Sequence, residues 1–157
     1  MKKKILFVAI LAIVSVAGYF VYEHFNAPPA ENPEGAALTL ILIDNSNITE
    51  VVKTIAHNTT AGNLMQALTE LHQKGSIDSF AENGGFITDI DFLKDKSSKG
   101  YYLFLYTSLK DEKYTTVDDF SPPLIYKGKE YFSCSKGAQD MPIVDGVEYI
   151  ISYVYYG

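Results

Sequence analysis

Ala37-Leu38-Thr39-Leu40-Ile41-Leu42-Ile43-Asp44 carries apolar residues at odd and even positions alike. A strand wetted on one face alternates apolar with polar; this one does not, so it belongs inside a sheet with both faces covered. Working outward, Asn45-Ser46-Asn47 reads as a turn, and Ile48 to His57, alternating and rich in β-branched residues, as the returning arm of a hairpin. Thr60 is a candidate cap for a helix from Ala61 to about Lys74, in which Leu64, Ala67, Leu68 and Leu71 share one face and Gly75 stops the last turn. Asn83-Gly84-Gly85 signals a turn into a strand at Phe86 to Ile90, and Lys94 to Gly100 a polar loop into the strand Tyr101 to Ser108. Two more strands, Glu130 to Cys134 and Glu148 to Tyr155, follow a long loop, the last one entered through Asp145-Gly146. Strand, strand, helix and then several strands is the order of an α+β fold, a β-grasp-like mixed sheet with one main helix packed on one face.

One helix leaves the other sheet face to be accounted for. Period two places Tyr102, Phe104 and Tyr106 on one side of their strand, and Tyr149, Ile151, Tyr153 and Tyr155 on one side of the last strand. Two tyrosine rows on the face away from the helix would make a platform of large apolar area with polar tips, suited to a small ligand. The alternative is that they pack beneath the loop from Asp111 to Lys127 or fill the second face of the sheet.

Upstream of the sheet, Lys2, Lys3 and Lys4 precede an uncharged run from Ile5 to Tyr22. At 1.5 Å per residue this run reaches roughly 27 Å, close to the ~30 Å hydrocarbon core of a bilayer. Residues 1–22 therefore read as an N-terminal transmembrane anchor with its lysines in the cytoplasm and the rest of the chain on the extracytoplasmic side. A cleaved signal peptide is the competing reading, since Ser15-Val16-Ala17 offers small residues; against it, Gly18 to Tyr22 prolongs the apolar run where a polar exit is expected. Residues 23–36, with Pro28, Pro29 and Pro33, form a linker, and residues 37–157 a single domain.

The chain of 157 residues has a formal charge of −6. Three lysines and Glu23 give residues 1–30 a charge of +2, so the remainder carries −8. An acidic domain is a poor partner for nucleic acid, whose phosphates need clustered Lys and Arg. Cys134 is the sole cysteine and has no partner for an internal disulfide. His24, His57 and His72 lack ligand spacing, and Asp89, Asp91 and Asp95 lack the glycine and terminal glutamate of an EF-hand, so no metal is expected. Ser133-Cys134-Ser135 has no nucleophile elbow and no nearby histidine, so no catalytic residue is assigned and no enzyme is expected.

The segment order and several local motifs resemble the C-terminal domain of transcobalamin and intrinsic factor, and more closely the bacterial extracytoplasmic proteins with a similar domain. The resemblance rests on the opening hairpin, on Asn63-Leu64-Met65-Gln66-Ala67-Leu68, on Gly85-Phe86-Ile87-Thr88-Asp89-Ile90, and on Tyr101-Tyr102-Leu103-Phe104-Leu105-Tyr106. Lys136-Gly137-Ala138, Pro142-Ile143 and Asp145-Gly146-Val147-Glu148-Tyr149 complete it. The chain departs from that pattern in having no tryptophan, in reading Thr107-Ser108-Leu109-Lys110 after the aromatic strand, and in the insertion from Asp111 to Pro123. The resemblance implies the fold and a small-ligand role, with cobalamin as one candidate ligand and no cofactor required. Phe86, Thr88, Tyr102, Phe104, Tyr106, Tyr149 and Tyr153 are the candidate ligand-binding residues. The expected function is a membrane-anchored extracytoplasmic binding module for a small ligand, a corrinoid or another transported nutrient. The alternative is a non-catalytic interaction or structural module that docks on another envelope protein.

Overall fold

The computed structural model describes residues 34–118 and 122–156. The anchor and nearly all of the linker lie outside the described residues, and among these no helix is long and apolar enough to cross a membrane. The elements are β1 (Ala36–Asp44), β2 (Val51–Thr59), α1 (Leu64–Gln73), β3 (Phe80–Asn83), β4 (Phe86–Ile90), a 3₁₀ turn (Ser97–Lys99), β5 (Tyr101–Thr107), β6 (Thr115–Thr116), β7 (Leu124–Tyr126), β8 (Lys129–Cys134) and β9 (Glu148–Tyr155). The architecture is α+β, mostly strands with one helix. The main sheet runs β2-β1-β9-β5-β8-β6, with β7 also on β8, while β3 and β4 form a separate hairpin. Every pairing is antiparallel except β1 with β9.

β1 is central, between β2 and β9, as its unbroken apolar run requires. Leu38, Leu40 and Leu42 bury one of its faces beneath Leu64, Ala67, Leu68 and Leu71 of α1, and Ile41 and Ile43 bury the other against Ile150, Tyr106 and Tyr131. At about 1.5–3 kcal/mol for each large aliphatic side chain removed from water, the four-residue stripe of α1 contributes more than its intrinsic helix propensity.

The helix begins three residues later than the sequence suggests. Asn63, in extended conformation, accepts a hydrogen bond from the Gln66 amide at 2.9 Å, and Gln66 Oε1 accepts one from the Gly62 amide at 3.0 Å, a variant of the reciprocal capping box. Thr60 does not cap it; the neighbouring Thr59 hydroxyl instead accepts from the Ala61 amide and donates to Glu70. The amides of Leu64 and Met65 donate to the carbonyls of Met141 and Ala138, so the segment 138–143 closes over the helix start. Replacing Asn63 by alanine is expected to cost about 1 kcal/mol of unfolding free energy, read by urea denaturation with an unchanged slope. Gly75, at φ 69, ends the helix as expected.

The second face of the sheet is closed by β7, the strand that follows the insertion. Leu124 and Tyr126 of β7 pack with Phe104 and Val154 against the cluster of Ile41, Ile43, Tyr106, Tyr131 and Ile150. β3, β6 and β7 have no counterpart in the sequence reading. β6 and β7 span only two and three residues, too short to show a period, and β3 is mostly exposed, so its apolar pattern is weak.

Candidate functional site

Strand β5 is bonded along its whole length on one side and over only two residues on the other. All seven residues pair with β9, whereas β8 pairs only with Tyr106 and Thr107. Beside Tyr102 to Leu105 the sheet has no next strand among the described residues. β4, which would take that place in a continuous sheet, is splayed away, and no described backbone hydrogen bond joins it to β5. The gap between these two strand edges is the cleft of interest.

The cleft has two parts. A cavity of about 120 Å³ lies where Gly85, Phe86 and Ile87 face Leu103, Leu105, Cys134 and Ile151. An open groove of about 690 Å³ continues along β5 between Phe86, Ile87 and Thr88 on one wall and Tyr101, Tyr102, Leu103 and Phe104 on the other. The groove lies within the roughly 300–1,000 Å³ of small-molecule sites. Phe86 is 70% exposed and Tyr102 45%, a large apolar surface left to solvent. Tyr156 adds a third ring, its centroid 5.6 Å from that of Phe104 and 6.2 Å from that of Tyr102, within the range of favourable aromatic pairs.

Lys96 stands at the far end of the groove. Its Nζ donates to Asp44 Oδ2 at 3.0 Å and to the Ser46 hydroxyl at 2.7 Å, and lies 4.5 Å from the centre of the Tyr153 ring. Burial pushes the Asp44 carboxyl up, but the bonds from Ser46 and Lys96 outweigh it and hold it below its ordinary value of 3.8. Glu148, held down by Lys129 and Tyr131, and Glu70, held down by Thr59 and His57, lie below their ordinary 4.5. Each carboxylate is thus more acidic folded than unfolded, and contributes stability above those ordinary values that is lost as pH falls through the folded ones. The midpoint of thermal unfolding should fall between roughly pH 7 and roughly pH 3, and Lys96→Met should remove part of that drop.

The structure brings five of the seven residues expected to bind to the groove, Tyr153 only at its end. Phe86, Thr88, Tyr102 and Phe104 line the groove. The pooled platform, however, is divided by the register of β5 with β9. Directly opposite residues share a face, and Tyr102 sits opposite Val154, Phe104 opposite Ser152 and Tyr106 opposite Ile150, while Tyr153 sits opposite Leu103 and Tyr149 opposite Thr107. The two tyrosine rows therefore lie on opposite faces. Tyr149 is wholly buried on the helix side, its hydroxyl donating to the Pro142 carbonyl, and Tyr153 is buried there too, donating to the Lys94 carbonyl and reaching the groove only at its end. Tyr106 is buried in the second core, where burial pushes its hydroxyl up to about 12. Burial likewise pushes the Cys134 thiol up, so the thiol facing the small cavity stays protonated.

Sequence reasoning missed Ile87, Leu103, Tyr101, Tyr156 and Lys96. Ile87 and Leu103 look like ordinary strand residues, and only the absence of a pairing strand gives them a role. Of the acidic group, Asp91 pairs with Lys53, Asp89 accepts from the Asp95 amide and Asp95 from the Ser97 amide, so these carboxylates serve local structure. Among the described residues no three His, Cys, Asp or Glu side chains converge as a metal site.

No family profile and no curated protein matches this chain. Among the solved structures that resemble it are the following two. A candidate metal-binding protein from Ruminococcus gnavus is 16% identical, with a TM-score of 0.49 over 78% of this chain and 99% of that one. Haptocorrin in complex with Cbi is 12% identical, with a TM-score of 0.46 over 78% of this chain and 26% of haptocorrin.

Proposed function

We propose that this protein is a non-catalytic binding module, held at the extracytoplasmic side of the cell membrane by its N-terminal segment, that captures a small ligand in the cleft between β4 and β5. The observation that carries the reading is the aromatic groove lined by Phe86, Tyr102 and Phe104 beside an open strand edge. The parallel pairing of β1 with β9 and the helix packed on one face of the sheet support a β-grasp-like architecture. The uncharged run Ile5 to Tyr22 supports the anchor. A corrinoid is the first ligand to try, as the sequence resemblance implies, followed by other transported nutrients.

Equilibrium titration of the full-length protein in detergent with cyanocobalamin tests the specific version. Saturable binding is expected, weakened about tenfold or more by Phe86→Ala. Phe86 is exposed, so the variant should fold with stability within about 0.5 kcal/mol of the parent. Absence of binding, or binding indifferent to this substitution, rejects the corrinoid in this cleft. A second reading, docking on another envelope protein, draws on Val117 and Ile125, both exposed in the segment that follows β5. Cross-linking in native membranes that captures one reproducible neighbour through a photoreactive group at position 125 supports it, and an unmodified protein rejects it.

A further inference from the structure

The cleft's walls are main chain as much as side chain. Backbone groups in a strand point alternately to its two edges, and the Tyr156 amide donates to the Gly100 carbonyl while the Ser108 amide donates to the Glu148 carbonyl. Even-numbered residues of this strand therefore turn their backbone groups toward β9, and odd-numbered ones turn theirs the other way. Thr107 meets β8 on that side and the Tyr101 amide donates to Lys96, which leaves Leu103 and the Leu105 amide facing the cleft. On the opposite wall, the two-residue turn Gly84-Gly85 closes the hairpin at the pair Asn83 and Phe86. Such a closing pair exchanges its bonds with each other, so the backbone groups of Ile87, one residue on, face away from β3.

We infer that the ligand of this cleft is a short peptide in extended conformation, which adds to β5 at Leu103 and Leu105 in the place where β8 leaves off. The inference rests on the reading of the cleft as a binding site and names the class of its ligand. An unpaired stretch of strand offers donors and acceptors at peptide spacing, the basis of recognition by strand addition. From Tyr102 to Leu105 the open edge spans about four residues, roughly 13 Å at 3.3 Å each, so the peptide is short. Successive side chains of the added strand point to opposite faces. One set enters the cavity bounded by Leu103, Leu105, Ile151 and Ala138, about 120 Å³. An apolar cavity of ~150 Å³ holds benzene, so this one suits an aliphatic side chain. The other set meets Tyr102, Phe104 and Tyr156.

The test is nuclear magnetic resonance of the ¹⁵N-labelled full-length protein in detergent, titrated with a blocked pentapeptide of alternating threonine and valine. Saturable shifts of the Leu103 and Leu105 amides are expected by about 5 mM peptide, a weak affinity fitting so short an edge. Two further peptides, N-methylated at the threonines or at the valines, give the signature of strand pairing: one should lose binding at least tenfold and the other keep it, because only alternate amides face β5. Without peptide, hydrogen exchange at the Leu103 amide should be fast. Slow exchange there, no shift with the parent peptide, or equal binding by both methylated peptides overturns the inference. Cyanocobalamin in the same experiment separates the two readings. Shifts around Phe86 and Leu103 with cyanocobalamin but not with peptide retain the cleft as a site and reject its peptide ligand, and silence with both probes rejects the two together.

Discussion

Tyr149→Ala should lower the free energy of unfolding by about 3–5 kcal/mol, the usual cost of deleting a large aromatic from a core. Tyr149 has no exposure, packs with the helix stripe and with Leu40 and Leu42 of β1, and donates its hydroxyl to the Pro142 carbonyl. Its loss leaves a void between the helix and the parallel strand pair that those aliphatic side chains fill only in part. Against a total stability of about 5–15 kcal/mol for a domain of this kind, that loss removes between roughly a fifth and all of it, so the urea midpoint should fall markedly. Tyr102→Ala is the matched control. Tyr102 is 45% exposed on the opposite face, so its removal should change stability by less than about 0.5 kcal/mol while weakening whatever the groove holds. Urea denaturation of the two variants side by side decides whether the tyrosine rows share a face; similar small losses for both would contradict the register of β5 with β9.

Gly137→Ala has the next largest expected effect, about 1–3 kcal/mol, through overpacking against backbone rather than through a lost contact. A Cβ at this position would stand 2.7 Å from the Gly85 carbonyl oxygen, a distance that real Cβ atoms do not adopt without movement of the main chain, and a tight 3.1 Å from its carbon. That carbonyl accepts the Ala138 amide, and the Ala138 carbonyl in turn accepts the Met65 amide at the helix start. The tip of the β3–β4 hairpin is thus tied to α1 through a single short segment. Forcing the tip away widens the small cavity, whose walls include Gly85, Gly137 and Ala138. The variant should bind a cleft ligand at least tenfold more weakly than it loses stability alone would explain, since the losses fall on one wall of the site. Binding measured well below the unfolding transition, with cyanocobalamin or the threonine–valine peptide, separates the two effects. Unchanged binding would show that the hairpin tip does not shape the site.

The parts of the fold legible in the sequence are those with a strong local signal. The doubly apolar run of β1, the helical spacing of Leu64, Ala67, Leu68 and Leu71, the turn at Gly84-Gly85 and the period of β5 and β9 all lie where the residues themselves place them. The helix start was not legible, because Thr60 stands out as a cap when tertiary contacts are unknown, whereas the fold uses Asn63, which accepts from the Gln66 amide three residues on. Half-burial of Phe104 and the exposure of Phe86 were not legible, since each depends on which neighbours arrive from elsewhere in the chain.

For the candidate site the division is sharper. The sequence by itself determined that β5 carries Tyr102, Phe104 and Tyr106 along one side and that β9 carries Tyr149 and Tyr153 along one side, because period two is a property of the extended backbone. Only the tertiary structure decided whether those sides coincide. Pairing Leu103 with Tyr153, rather than Tyr102 with Tyr153, sends one row beneath the helix and leaves the other beside the cleft, and a shift of one residue in register would reverse that outcome. The open edge at Leu103 is likewise a fact of pairing. No local pattern marks a strand whose neighbour, β8, reaches only two of its residues, because the length of a ladder is set by where the partner chain turns away.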